Sequence, residues 1–309
     1  VDVLADILAA VRVGQARSFR TEARAPWGLW FSGLSGAGFH VVLRGSCWLL
    51  RPDRPPLRLA EGDVVFLRYR DRHGLADEPG RELLELGPPG RTGATALGTV
   101  LRDGPGAATV LLCGAYLFDR DLAHPLLAAL PEVIHLPARA GRYPALDGAV
   151  ALLGDEVTAA APGAAAAVPG LVDVLLVYIL RAWLAEHPDT GWSAALVDPA
   201  VAGAVGAIHT DPGGPWTVTG LAALVGLSRA AFARRFTALV GEPPVGYLTR
   251  WRMITAARLL RGTDDPLRSV ARRSGYASPY AFAKAFRRAY GQPPGRYRVE
   301  SGRPAPTTG

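Results

Sequence analysis

The feature that most restricts this chain is a pattern that occurs twice, with its two serines 50 residues apart. Ser228 precedes "RAAFARRFTALVG", and Ser278 precedes "PYAFAKAFRRAYG". A serine in that place accepts a hydrogen bond from a backbone N–H one turn further on, which closes a helix N-terminus. Upstream of each, a shorter apolar segment follows its own expected cap: Thr217 before "VTGLAALVG", and Asp265 before "PLRSVARRSG", with Pro266 in the first helical position. Gly226 and Gly275 then end those segments and turn the chain. Helix, tight glycine turn and helix make a helix-turn-helix, here in tandem. "PPVGYLTRWRMITAARLLRG" between the two copies reads as one linking helix after its prolines.

The second helix of each copy has two faces. Phe232, Phe236, Leu239 and Val240 form one apolar stripe, and Phe282, Phe286 and Tyr290 form the other. Arg234 points away from the first stripe among Ala230, Ala231 and Thr237, while Tyr280, Ala281, Lys284, Arg287 and Arg288 lie outside the second. A long donor among small neighbours lets a helix sink into a DNA major groove. Two such helices in one chain can enter successive grooves about 34 Å apart. Charge agrees with a polyanion partner. From Pro199 onward there are 16 Lys+Arg against 5 Asp+Glu, a net of +11, whereas the preceding residues hold 18 against 22, a net of −4.

Before residue 187 the chain changes character. Over 28–118 short apolar or alternating runs, among them "GFHVVLRG", "DVVFLRY" and "ATVLLCGAYLF", are punctuated by Gly, Pro and Asp, as in an antiparallel sandwich or barrel. Residues 122–130 read as a short helix closed by Pro131. Residues 145–160 and 171–186 read as a helical hairpin, with "APGAAAAVPG" as the turn between them. The second of these helices is apolar around most of its circumference and needs a covering surface, either its own barrel or a partner subunit. "HPDTGWSAALVDP" is the expected linker.

Cys47 and Cys113 are the only cysteines, which excludes a disulfide framework and suits a reducing compartment. The first residues, "VDVLADILAAVRVG", are helical in pattern and not a basic leader, and "LVDVLLVYIL" is too short to span a bilayer. A cytoplasmic protein without a membrane partner is expected.

The tail 199–298 closely resembles the DNA-binding domain of the AraC/XylS family of transcription regulators. The residues that carry it are Val270-Ala271, Gly275-Tyr276, Ser278, Phe282, Phe286, Gly291, Pro294 and Tyr297-Arg298. The first copy matches through Leu221-Ala222, Ser228, Phe232, Phe236, Gly241, Pro244 and Tyr247. The resemblance places base reading on Ala230, Ala233 and Arg234, and on Tyr280, Ala281 and Lys284. Arg229, Arg235, Arg287 and Arg288 are better placed for phosphates.

"GDVVFLRYRDRHGL" resembles half of a cupin metal motif, with Arg68 and Arg70 in the places of its proline and glycine and with His73 in the place of its histidine. His40 matches a ligand of the other half, but Val42 replaces that half's second histidine. Two ligands do not make a catalytic site, which needs about three. Cys113 would complete a His₂Cys set suited to zinc or copper, or serve as an oxidisable thiol, or be a buried hydrophobe. Residues 1–186 as a whole resemble the cupin-type sensor domain of one branch of AraC-family regulators. In that branch the barrel answers an effector or stress and the helices dimerise.

The resulting expectation is an α+β chain. A cupin-like barrel (about 28–118) with a helical hairpin (about 145–186) forms a sensor over 1–186. A linker (187–198) leads to a double helix-turn-helix domain over 199–300. Its expected partners are operator DNA, a second copy through the hairpin, RNA polymerase, and a small-molecule or redox effector. The competing reading is a metal-dependent cupin enzyme with an appended DNA module, against which the missing ligands count.

Overall fold

The computed structural model describes residues 2–13, 16–32, 36–68, 72–86, 99–118, 124–138, 141–159, 161–189 and 191–301. Arg70, and the start of the helix expected over 122–130, lie outside them. The chain divides into two compact units. One comprises Val13–Phe118 and Leu130–Glu186; the other comprises Val1–Arg12, Asp119–Ala129 and His187–Gly309.

In the first unit, six strands run in the order β11 (Val133–Leu136), β6 (Val64–Leu67), β3 (Ala37–Arg44), β10 (Ala108–Tyr116), β1 (Arg17–Arg24), β9 (Thr99–Arg102). Five more run β5 (Leu57–Ala60), β4 (Ser46–Leu50), β7 (His73–Ala76), β2 (Gly28–Phe31), β8 (Leu84–Leu86). Among the described residues the two sheets do not close into the expected barrel. They sandwich one core, with Leu29, Phe31, Leu49 and Leu75 from one sheet and Val42, Val65, Leu67, Leu111 and Cys113 from the other, all buried. Alternation along β3 shows why: Val42 enters this core, while Phe39 packs on the Tyr116 ring of β10.

The outer face of the six-stranded sheet carries the helical hairpin, α3 (Pro144–Ala159) and α4 (Ala164–Glu186). Tyr116 crosses to it by donating its hydroxyl to the Val172 carbonyl at 2.8 Å. The expected turn 161–170 is shorter than its Pro and Gly content suggested. Its alanine run has the highest helix propensity of any residue type and extends α4 back to Ala164, with Pro169 held inside the helix. By length and composition α4 is, among the described residues, a helix that could cross a membrane, but Val172, Leu175, Leu176, Ile179 and Leu180 are buried as in a core helix.

The second unit is helical. Its elements are α1 (Val3–Val11), α2 (Pro125–Ala129), α5 (Gly191–Val197), α6 (Pro199–Thr210), α7 (Val218–Leu224), α8 (Arg229–Val240), α9 (Pro244–Gly262), α10 (Leu267–Arg273), α11 (Pro279–Tyr290) and α12 (Pro294–Ser301). The stretch 187–198, expected to be a linker, holds α5, whose Trp192 is buried as α5 packs on α6 and α8. α1 packs against α6 and α9 with Ile7, Leu8 and Val11 buried. Two segments from the region expected to form the sensor thus belong to the helical unit.

Candidate nucleic-acid interface

The two reading helices are started by the expected serines. Ser228 Oγ accepts the Ala231 N–H at 3.2 Å, and Ser278 Oγ accepts the Ala281 N–H at 3.1 Å. Thr217 caps α7 through the Gly220 N–H at 3.0 Å. The glycine turns lie at φ of +69° (Gly226) and +75° (Gly275), where a side chain would be strained. Asp265 does not cap α10. That helix begins one residue later, with Pro266 in the cap position and no side-chain cap bond. The Asp265 carboxylate instead takes Arg273 Nη1 at 2.8 Å, which ties the two ends of the helix together.

The inner stripes behave alike. Phe232, Phe236, Phe282 and Phe286 are completely buried, each contributing about 1.5–3 kcal/mol of apolar burial. Val240 and Tyr290 are buried beside them, and Leu239 is half-buried. Every stripe residue fixed in this way leaves its opposite face outward.

The outer faces differ. On α8, Arg229, Ala230, Arg234 and Thr237 are exposed, with Ala231 and Ala233 half-buried. On α11, Ala281, Lys284, Arg287 and Arg288 are exposed, and the Tyr280 ring is 81% exposed. None of Arg229, Arg234, Lys284, Arg287 and Arg288 forms an ion pair among the described residues.

Arg235, expected to hold a phosphate, pairs with a carboxylate of its own chain. Its Nε donates to Asp198 Oδ2 at 2.6 Å, and Nη2 meets the same oxygen. Asp198 also caps α6, accepting the Ala200 N–H at 3.1 Å and the Val201 N–H at 2.9 Å. Burial pushes this carboxyl's pKa up, but the bonds from Val201 and Arg235 outweigh that and hold it below the usual range. Arg235 therefore bolts α8 to α6. Sequence reasoning could not see this, because its partner is 37 residues away.

In the sheet unit, His40 on β3 and His73 on β7 meet across the core with Nε2 atoms 2.7 Å apart. One ring must donate and the other accept, so the pair cannot carry two charges. Burial, then the neighbouring imidazole, drive the pKa of His40 well below its ordinary value. Phe31 stacks on His73 at 4.9 Å. Cys113 does not join them. It is the register partner of His40, but its sulfur accepts from the Thr21 hydroxyl at 3.9 Å. No three His, Cys, Asp or Glu side chains converge on a metal position among the described residues. Of the three readings of Cys113, the His₂Cys set is not formed among the described residues, and two histidines fall short of the roughly three protein ligands an ion needs. Burial also raises both thiols, Cys47 to about 12, which keeps them protonated and poor targets for oxidants. A cleft of this unit lies outside that core. It is a space of about 610 Å³ between the sheet and α3, bordered by Arg20, Leu43, Arg44, Glu61, Asp147 and Asp155.

Comparison with known proteins settles the family. A family described as Cupin matches residues 2–185, and one described as Helix-turn-helix domain matches residues 221–300. A putative AraC-like transcription regulator of Streptomyces antibioticus is 35% identical over 303 residues, which cover 96% of this chain and 98% of that protein. This chain belongs to the AraC-like transcription regulators. The HTH-type transcriptional regulator AlkR of Acinetobacter baylyi is 27% identical over 97% of this AraC-like chain and 100% of its own length. Among solved structures, the DNA-binding domain of AdpA in complex with a target DNA is 36% identical, covering 33% of this chain and 92% of that one at a TM-score of 0.32. The AraC-like assignment makes the chain a DNA-binding transcription regulator with a cupin-type N-terminal domain.

Proposed function

We propose that the protein reads an operator with α8 and α11 and has no catalytic activity of its own. The observation that carries this reading is the pair of capped helices, each backed by two buried phenylalanines, whose outward faces hold free cations. Arg234 on α8 is the base reader of the first helix, with Ala230 and Ala233 available to thymine methyl groups. Tyr280, Ala281 and Lys284 read bases from α11, while Arg229, Arg287 and Arg288 hold phosphates. Ser278 acts indirectly, by starting α11.

The sheet unit takes the signal. The buried, protonated thiols and the two-histidine pair favour a small organic effector over an oxidant or a resident metal, and the cleft beside α3 gives such a molecule room. No zinc is assigned. The hairpin supports a homodimer: Leu152 and Val174 leave apolar side chains 60% and 41% exposed on α3 and α4. Contact with RNA polymerase and a cytoplasmic location complete the reading.

The test is selection of bound duplexes from a random library, followed by titration of the recovered sequence. Recovery of one motif with two half-sites about one DNA turn apart is expected. Binding that never exceeds random DNA would overturn the reading.

A further inference from the structure

We propose that His124 is a positioning residue for the first reading helix, acting through the hydroxyl of Tyr247. The proposal rests on α8 being a reading helix. His124 comes from the segment that leaves β10 and enters β11, far from the reading helices in sequence, yet it sits within the helical unit.

A directed chain of hydrogen bonds supports it. The Leu126 N–H at the start of α2 donates to His124 Nδ1 at 3.2 Å, so the proton of the neutral ring lies on Nε2. His124 Nε2–H then donates to the Tyr247 hydroxyl at 3.1 Å. With its lone pair engaged there, Tyr247 donates to His209 Nε2 at 2.6 Å. The His209 proton is left on Nδ1, which faces the Asp6 carboxylate of α1 at 3.5 Å, long for a hydrogen bond. Both imidazoles are held neutral: burial lowers the pKa of His124 well below its ordinary value and that of His209 to about 3. The rings have no room to turn. His209 lies flat on Trp251 with centroids 3.7 Å apart, and His124 is 5.0 Å from Trp192.

Tyr247 is where this chain meets DNA reading. It stands in the first turn of α9 and packs edge-on against Phe236, whose centroid is 5.8 Å away. Phe236 in turn contacts Phe232, and these two rings set how α8 lies in its unit. The buried tyrosine ring is packed among His124, Trp192, His209 and Phe236, and its hydroxyl is held from both sides. His124 supplies one of those holds, from a backbone segment continuous with the sheet unit. A change in that segment would reach α8 by way of one hydrogen bond and the edge-on contact of Tyr247 with Phe236. Among the described residues His124 bonds neither α11 nor the Tyr297 behind it, so the effect is expected in the half of the operator read by α8.

The experiment uses the full-length protein, a duplex selected by the unaltered protein, and the same duplex with the α8 half-site or the α11 half-site scrambled. His124→Phe keeps a ring and removes the donor; it is expected to weaken binding of the selected duplex by about tenfold, the scale of one buried hydroxyl losing a partner. The loss should vanish on the duplex whose α8 half-site is scrambled and persist on the other. His124→Gln restores an N–H at the Nε2 position and should recover most of the affinity. Tyr247→Phe should match or exceed His124→Phe, and the double variant should be no worse than Tyr247→Phe alone, because both remove the same bond. Equal losses on all three duplexes, additive losses in the double variant, or no rescue by glutamine would overturn the proposal. If a variant loses binding to both half-sites together with its helical circular dichroism, the role is structural and the proposal fails. Should the unaltered protein select no duplex, the reading-helix assignment falls, and the proposal with it. A selected duplex that binds His124→Phe unchanged overturns the proposal alone.

Discussion

The two helix-turn-helix units are copies built on the same inner plan but stabilised and charged differently. Tyr247 and Tyr297 occupy equivalent places behind α8 and α11, 50 residues apart. Tyr247 is held by two neutral histidines, His124 and His209. Tyr297 is held by Arg261, which also donates to the Ala10 carbonyl of α1 at 3.2 Å. Outside, α11 presents Lys284, Arg287 and Arg288 freely, whereas α8 has lost Arg235 to Asp198. The duplication therefore conserves packing, which tolerates little change, and lets polar partners diverge. One copy relies on a fixed cation and the other on imidazoles that must stay uncharged.

The contrast is most sharply tested by acid. His124 and His209 are neutral when folded and protonatable near pH 6.5 when unfolded, so below that pH the unfolded chain binds protons that the folded chain does not. Stability is then complete above about pH 7 and falls as pH drops, with a slope approaching 1.4 kcal/mol per pH unit for each histidine. His209 stops contributing only near its folded value of about 3. Denaturant titrations at pH 7 and pH 5 should show this loss, and His209→Phe should remove part of it. An unchanged midpoint at pH 5 would mean that the first copy is not held as described.

The inner plan should prove equal. Phe236→Ala and Phe286→Ala each remove a fully buried ring and are expected to cost about 3–5 kcal/mol, read from denaturation midpoints. A several-fold difference between the two would show that the packing has diverged as well.

The outer faces come next in size. Arg234→Ala and Lys284→Ala should each reduce discrimination between the selected duplex and random DNA by about 1–3 kcal/mol. Losses of the same size on both DNAs would reassign them to phosphates. The smallest effect separates two arginines of similar appearance. Arg288→Ala should lower the slope of log affinity against log salt by about one. Arg235→Ala should leave that slope unchanged and destabilise the fold by about 1 kcal/mol, since its partially exposed ion pair is structural.

What could be read from the sequence follows the range of each interaction. Ser228, Ser278, Thr217 and the two turn glycines act within a few residues, so their roles were legible before any fold was known. Short-range rules also failed where two of them competed: at Pro169 the alanine run prevailed, and at Asp265 the pull of Arg273 prevailed over capping. Strand β1, "RSFRTEAR", carries too many charges to look like a strand. It is one because it pairs with β10 along its whole length. Strands β7, β8 and β11 are three or four residues long and gave no periodic signal. His40 and His73 were found as candidates because a motif frame pointed to them, but the exclusion of Cys113 depended on where a side chain 40 residues further on would turn. Nothing local in the sequence marks His124, because its partner Tyr247 lies 123 residues away.

The membership of α1 and α2 in the helical unit bears on how this protein could be taken apart and rebuilt. A chimera spliced at residue 187, where composition suggests a seam, would transplant the reading helices without α1 and α2, which pack on α5, α6 and α9 behind them. Leu8 and Val11 would lose the neighbours that bury them, and Tyr247 would lose a hydrogen-bond donor. The DNA-binding module is discontinuous in sequence, so a graft that preserves it must carry three pieces of chain. Inheritance by simple exchange of front and back halves would leave both recipients with an unfinished core.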